Sequence, residues 1–479
     1  MTTQIIPEII TILTIVLLIV IEIISFKKDN FIIPFTLSII SVFISLLTSI
    51  YNLKNIANIN HCFLEGRFCL NGEGVMFKIL FLFIVLFILC MSFDDFNNII
   101  NTKQDTRYGE FCMLLLTTLV GALFLVSSSD MVTFYVSLEM TIIPIYLLIS
   151  WKENSWSAES SIKYLLVGMF SSVFLLLALS YLYGLTGSTD FYTIYYRLFN
   201  NITVYFIAIL LLINICFKMG IVPFHMWISD VYYGSSITIT AYLSVFSKVV
   251  GIALIWIIFY RILGNHIVHK STMFIAIMSS ISMTLGNVLA ITQNNIKRIM
   301  AYSSISQAGY ILMGFIKGGT LGMAAVFYYT LIYVVTNLSV FFVIMFYKKK
   351  FNVENILDYK NLSEKSPIMS VFFLIALFSL AGIPPLSGFI GKFFLFSIAA
   401  EEGLNWLVLV AALNSTVSLY YYLGIIKKIY IDRSDNTYVF ENNSSLVILQ
   451  SGAFILSMGI MLLGCPIFYN TIYTTLTHC

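Results

Sequence analysis

The chain is built from apolar runs such as VMFKILFLFIVLFILCMSF at 75–93, and a helix needs about 20 such residues to cross the hydrocarbon core of a bilayer. Barrel strands, which alternate between lipid and lumen, would not give runs this continuous. Soluble domains are about 25% charged; here 59% of residues are hydrophobic and only 10% charged, which excludes a soluble enzyme. The 26 basic and 23 acidic side chains are too balanced for a nucleic-acid partner, so the expected surroundings are a lipid bilayer.

The expected fold is all-α, a polytopic membrane protein of about fourteen transmembrane helices. Apolar runs set against polar punctuation place them near 5–25, 32–51, 75–93, 110–127, 130–151, 160–185, 202–227, 237–262, 271–293, 297–316, 321–347, 367–398, 404–429 and 445–469. The start, MTTQIIPEII, has no basic region and carries Glu8, so it reads as a first span and not as a cleaved signal. Loops after odd-numbered spans carry fifteen basic residues: Lys27, Lys28, Lys103, Arg107, Lys152, Lys297, Arg298, Lys348, Lys349, Lys350, Lys360, Lys365, Lys427, Lys428 and Arg433. The other side carries six, Lys54, Arg67, Arg197, Arg261, Lys270 and Lys317. That bias places the odd loops in the cytoplasm or matrix and both termini on the opposite side.

Seven cysteines form no CxxC pair, and no metal or iron–sulfur site is expected. Cys62 and Cys69 share one loop and are candidates for pairing in an oxidising compartment. Gly391-Lys392 is followed by Phe393 and lacks the earlier glycine of a phosphate loop, and GxGxxG is absent, so no nucleotide, flavin or haem site is expected in this chain.

Two spans are interrupted by proline, at FKMGIVPFH (217–225) and LAGIPPLSGFIGK (380–392). Proline inside a helix removes a hydrogen bond and frees a carbonyl that must find another partner. Pro223 and Pro384 lie 161 residues apart, and the same offset carries the fourth span onto the ninth. Spans 4–8 and 9–13 therefore read as one repeated five-helix unit, and an odd number of crossings makes the two copies inverted. The expected organisation is three N-terminal helices (1–109), a first repeat (110–266), an inverted second repeat (267–430), and a loop with a final helix (431–479).

Ionisable groups deep in a membrane cost several kcal/mol and mark a bundle interior or a water-filled cavity. Lys78, near the end of its span, is expected to snorkel to the interface. Glu139 lies well inside its span, five residues before Pro144. Lys218 sits five residues before Pro223, where a freed carbonyl or water is expected to solvate its ammonium group. Lys248 lies eleven residues inside the eighth span, Lys392 follows the second break, and Lys163 is three residues into the sixth span. Four such lysines face one deep acid, Glu139. Desolvation and pairing act oppositely on a lysine's proton affinity, which makes such groups usable proton carriers. His225, just beyond the first break, titrates near neutrality when unperturbed and is a further candidate. Ser303, Ser306, Gln307 and Tyr310 form a polar stripe that suits either a water file or helix–helix hydrogen bonding.

Four segments, FKMGIVPFHMWISDVYYG, NNIKRIMAYSSISQAGY, AGIPPLSGFIGKFFLF and LNSTVSLYYYLGIIKKIY, resemble the antiporter-like subunits of NADH:ubiquinone oxidoreductase, respiratory complex I. The likeness spans roughly residues 110–430 and leans toward subunit 2 and its bacterial counterpart, subunit N. It implies two inverted five-helix repeats with broken helices 7 and 12. It also implies roles in proton translocation: Glu139 and Lys218 as a charge pair, Lys248 as the central site, Lys392 as its counterpart in the second repeat, and Lys163 as a further lysine. NADH, FMN, iron–sulfur clusters and ubiquinone are implied in other subunits, with no redox centre here, so the chain would be enzymatic only as a translocase subunit. The implied partners are the neighbouring membrane-arm subunits. A multisubunit cation/proton antiporter shares the broken-helix fold and is the alternative. Where the family usually has proline, this chain has Ile228-Ser229 and Ser235-Ser236-Ile237. Abundant Asn, Ile, Phe and Tyr suggest an AT-rich organelle genome, and hence the mitochondrial inner membrane ahead of a bacterial one.

Overall fold

A computed structural model describes residues 4–24, 32–54, 61–63, 66–99, 107–198, 202–432, 446–464 and 466–477. Lys27, Lys28, Lys103, Arg433, Cys465 and Cys479 lie outside the described residues, as does the side chain of Lys270. The chain divides into two units, Met1–Lys218 with Val249–Ile267 and Thr475–Cys479, and Met219–Lys248 with Val268–Thr474.

The first unit begins with α1 (Ile6–Ile24), α2 (Ile32–Lys54), a hairpin of β1 (His61–Phe63) and β2 (Phe68–Leu70), and α3 (Gly72–Ile99). It continues with α4 (Tyr108–Ser127), α5 (Met131–Ile149), α6 (Ser155–Thr186), the short α7 (Phe191–Arg197) and α8 (Ile202–Met219). The hairpin is closed by a Cys62–Cys69 disulfide and is seated on the α4–α5 loop, where Ser129 N donates to Arg67 O at 3.0 Å.

The second unit holds α9 (Met226–Gly234), the first part of α10 (Ile237–Trp256), most of α11 (Asn265–Ile291), α12 (Ile296–Met313) and α13 (Gly319–Phe351). After the four-residue α14 (Leu362–Lys365) come α15 (Pro367–Ala381), α16 (Ser387–Glu401), α17 (Asn405–Tyr430), α18 (Val447–Leu463) and most of α19 (Pro466–Thr477). Helix α13 is buried over nearly its whole length.

Among the described residues eleven helices are long and apolar enough to cross a membrane, and a pair bent by 75°, Val447–Leu463 with Phe468–Leu476, raises this to up to twelve. Every one of the fourteen expected segments is largely helical, but three miss that measure for physical reasons. Helix α12 is too polar, the 367–398 segment is two halves of 15 residues each, and α18 has only 17 residues.

The two units share a local device. In the first, Asp130 caps α5 by accepting from Val132 N at 3.1 Å. The flanking backbone pairs with the start of α7, Met131 N to Thr189 O and Phe191 N to Ser129 O, both at 2.9 Å. In the second, Asn295 caps α12 by accepting from Lys297 N at 3.0 Å, and Ile296 N to Glu354 O (3.2 Å) and Ile356 N to Asn294 O (2.9 Å) repeat the pattern. All four backbone partners shift by the same 165 residues. Each clasp supplies acceptors to helix-start N–H groups that have none within their own helix.

Lys78 does not snorkel. Its ammonium group, 2% exposed, is paired with the Glu8 carboxylate, 3% exposed, which ties α1 to α3. A buried pair loses about 3–5 kcal/mol when one partner is removed, because the other charge stays behind in an apolar setting. Glu8→Ala should therefore lower the temperature at which the assembled protein loses its native-gel band. The exchange Glu8→Lys with Lys78→Glu should recover most of that loss, and equal loss in both variants would contradict the pairing.

Candidate functional site

In the first unit Glu139 is half-buried on α5, with its Oε1 buried and without a hydrogen-bond partner. It lies beside the Ser172 hydroxyl of α6 and within electrostatic reach of Lys218 on α8. One turn before Lys218, Asn214 donates to Ser171 O (2.8 Å) and Ser171 Oγ (2.7 Å), so α6 holds both halves of the expected charge pair. Lys163 is not drawn into this setting. Its side chain is 40% exposed and pairs with Glu159 one turn away at 2.8 Å. The count of four deep lysines is thereby corrected to three, Lys218, Lys248 and Lys392, each less than a tenth exposed.

In the second unit both chain breaks serve a buried lysine. Helix α8 ends at Met219 because Gly220 has φ +66°, a left-handed backbone that glycine adopts without cost. The carbonyl of Met219, freed from its helix, accepts the ammonium group of Lys248, which is 0% exposed. The freed carbonyl thus solvates Lys248 on α10, and not Lys218, the expected recipient. The bend is held by Val222 N donating to Ser282 Oγ on α11 at 3.2 Å.

The second break repeats the chemistry. Helix α15 ends at Gly382, φ +88°, and Lys392 on α16 reaches back to donate to Leu380 O and Ala381 O, both at 3.0 Å. Its ammonium group also lies 4.6 Å from the centre of the Tyr310 ring, whose electron-rich face favours a cation.

The polar stripe of α12 is used mainly as hydrogen-bonding glue. Ser303 Oγ accepts from Tyr422 OH at 2.9 Å, Gln307 Nε2 donates to Leu380 O at 3.2 Å, and Tyr310 OH donates to Ala411 O at 3.3 Å. Ser306 bonds within its own helix, to Ser303 O. His225 precedes α9, half-buried, with Nδ1 buried and unpartnered.

Sequence reasoning missed the tyrosines of α13. Tyr329, Tyr333 and Asn337 recur every fourth residue on one face, a spacing visible in the sequence but masked by an otherwise apolar run. The missing proline of the loop before α10 is also explained. Ser236 Oγ accepts from Ile239 N at 3.3 Å, Ser235 Oγ meets Thr240 Oγ1 at 2.8 Å, and Lys297 donates to Ser235 O at 2.8 Å. Hydrogen bonds supply the rigidity that proline would otherwise give to this loop.

Apolar helices interrupted at two breaks, with buried lysines seated on the freed carbonyls, define a membrane protein of the ion-translocating antiporter type. Comparison with known proteins agrees. A family model described as NADH:quinone oxidoreductase/Mrp antiporter, transmembrane, matches residues 128–418, and the chain belongs to that family. NADH-quinone oxidoreductase subunit N of Desulfitobacterium hafniense is 36% identical over 393 residues, covering 78% of each chain. The subunit N of Moorella thermoacetica is 36% identical over 370 residues, covering 76% of each. Among solved structures, a chain of respiratory complex I from Thermus thermophilus superposes with a TM-score of 0.78 at 24% identity, over 96% of this chain and 97% of that one. A chain of the Mrp complex from Dietzia superposes with a TM-score of 0.85 at 18% identity, over 100% and 97%. The last two show the fold.

The breaks can be tested directly. A Cβ on Gly220 would lie 1.9 Å from Ile228 Cδ1, whereas one on Gly424 would meet nothing within 4 Å. Gly220→Ala should cost more than about 1 kcal/mol through its left-handed backbone alone and shift the Met219 carbonyl. Its yield of assembled protein should fall well below that of Gly424→Ala; equal yields would contradict the role given to the break.

Proposed function

We propose that this chain is a proton-translocating membrane-arm subunit of an NADH:quinone oxidoreductase, of the N type, coupling quinone reduction elsewhere in the complex to proton movement. The observation that carries the reading is the seating of Lys248 and Lys392 on carbonyls freed by the two helix breaks. A lysine held by neutral acceptors keeps its proton only while that environment persists, so a small rearrangement changes its proton affinity. Glu139 beside Lys218 supplies the opposite case, an ammonium whose charge is supported by a carboxylate. Moving one charge against 100 mV requires about 2.3 kcal/mol, within reach of shifts of one to two pKa units.

Glu139, Lys218, Lys248, Lys392 and His225 are the groups we assign to proton handling. Lys163, exposed beside Glu159, has a peripheral place in this scheme. The matching clasps 165 residues apart support reading 110–266 and 267–430 as inverted repeats, after three N-terminal helices and before a final one. NADH, FMN, iron–sulfur clusters and quinone belong in this reading to partner subunits, which contact the chain through its lipid-level faces.

The Cys62–Cys69 pair lies in the loop after the second span, and disulfides persist in oxidising compartments. This supports the orientation drawn from the basic residues, with even-numbered loops and the termini outside. The relatives named above are bacterial and favour a bacterial inner membrane, while composition alone spoke for the mitochondrial one.

The rival reading, a cation/proton antiporter subunit, draws on the Mrp likeness at 18% identity, whereas the relatives at 36% are subunits N. Solubilised in mild detergent, the polypeptide should migrate on native gels with NADH-oxidising activity; migration in a smaller assembly without it would favour the antiporter. Within the complex, Lys248→Ala should lower the number of protons moved per electron in sealed vesicles while NADH oxidation by an artificial acceptor is unchanged. An unaltered stoichiometry would overturn the assignment.

A further inference from the structure

We propose that the chain carries a binding site for a phospholipid head of mixed charge, a phosphate joined to an ammonium group, at the membrane edge where its even-numbered spans end. The site is a cavity of about 500 Å³ built wholly within the first unit. Its wall comes from the Cys62–Cys69 hairpin after the second span, Ser129 after the fourth, α7 after the sixth, and Tyr260 and Arg261 at the end of the eighth. All four segments follow even-numbered crossings, so they meet on one side of the bilayer, the side that the reading above assigns to the outside. The volume is that of an ordinary small-molecule site.

Two charges of opposite sign line the cavity. Arg261 is fixed in place: its Nη1 donates to Ser128 O at 2.8 Å, and its guanidinium carbon lies 5.5 Å from the centre of the Trp256 ring. The Ser128 bond uses one of five N–H donors, and the planar fork of a guanidinium suits a phosphate. The next wall residue, Tyr260, has its hydroxyl buried with no hydrogen-bond partner, in a position where a ligand oxygen would satisfy it. Both side chains come from the π-helical turn Ile257–Ile262 that follows α10, a rare geometry that recurs at functional sites. The opposite charge is Asp190, which caps α7 by accepting from Thr193 N at 3.1 Å and lines the cavity with Tyr192, Tyr195 and Tyr196. An ammonium group is attracted both by that carboxylate and by tyrosine ring faces.

The charge balance selects the head. Arg261 lies within electrostatic reach of both Glu73 and Asp190. A lone anion would therefore meet two carboxylates, and a lone cation would meet a guanidinium; a head with both signs satisfies each. Two observations favour a lipid over a soluble molecule of the same chemistry. Tyr192 and Tyr196 line the cavity yet are 69% and 66% exposed, which suits tyrosines of a membrane-interface belt. The next span, α8, starts only five residues after α7 ends, so hydrocarbon is close by for the acyl chains.

The test isolates the protein in its native assembly in mild detergent and illuminates it with a phosphatidylethanolamine that carries a photoreactive acyl chain. Adducts mapped by mass spectrometry should fall on α7 and the start of α8. Excess unlabelled phosphatidylethanolamine should remove most of them. Phosphatidylglycerol, which lacks the ammonium, and soluble phosphorylethanolamine, which lacks the chains, should not. Tyr260→Phe removes one hydrogen bond to the head and should lower labelling by about fivefold. Asp190→Asn keeps a capping side chain on α7 but loses the charge, and should lower labelling at least as much. Should either variant fail to accumulate, Tyr192→Ala at an exposed position replaces it, with a fall in labelling again expected. Absence of adducts at α7, or parent-like labelling in the variants, would overturn the site. Equal competition by phosphatidylglycerol would overturn the mixed-charge head, and equal competition by phosphorylethanolamine would overturn the lipid as its source. The readout is independent of proton movement, so this site and the functional reading stand or fall separately.

Discussion

A backbone carbonyl that has lost its helical partner is the interaction on which this molecule depends. In hydrocarbon every peptide group must be paired, so a span can be broken only where something replaces the lost hydrogen bond. Here the replacement is an ammonium group, Lys248 on Met219 O at one break and Lys392 on Leu380 O and Ala381 O at the other. The dependence runs both ways. A buried lysine is costly without acceptors, and the broken span is costly without a donor. Each defect makes the other tolerable, which explains why proline, a positively rotated glycine and a lysine occur together twice.

Around this device the rest of the polar interior falls into place. The α12 stripe is spent on holding α15 and α17 through Gln307 and Tyr310, and on accepting Tyr422 at Ser303. The serine-rich turn before α10 is fastened by its own hydroxyls and by Lys297, so the helix that carries Lys248 starts from a fixed point without proline. Outside the residues matched by the family model, the Glu8–Lys78 pair gives the three N-terminal helices a buried charge contact of their own.

Much of this was legible in the sequence because membrane folding imposes strong rules. Apolar run length located the helices, proline and glycine located both breaks, and the rarity of charge in spans pointed to Glu139, Lys218, Lys248 and Lys392. Partnership was not legible. Nothing in the spacing says that the carbonyl freed after Lys218 is taken by Lys248, because the two meet only through tertiary packing. For the same reason Lys78 looked like an interfacial lysine until Glu8, seventy residues earlier, was placed beside it. Lys163 misled in the opposite sense: it lies inside a long helix, yet its side chain emerges at the surface next to Glu159. Tyr329 and Tyr333 were hidden because aromatic residues in an apolar run read as packing, and only their hydroxyl partners distinguish them.

The central claim is that a helix break and its lysine form one device, and a double-substitution cycle on protons moved per electron tests it most directly. Gly382→Ala and Lys392→Met would be made singly and together in the reconstituted complex, since groups acting as a unit are non-additive. The account predicts that each single variant is impaired and that the double variant is no worse than Lys392→Met alone. Losses that simply add would show that the break and the lysine act independently, and would contradict it.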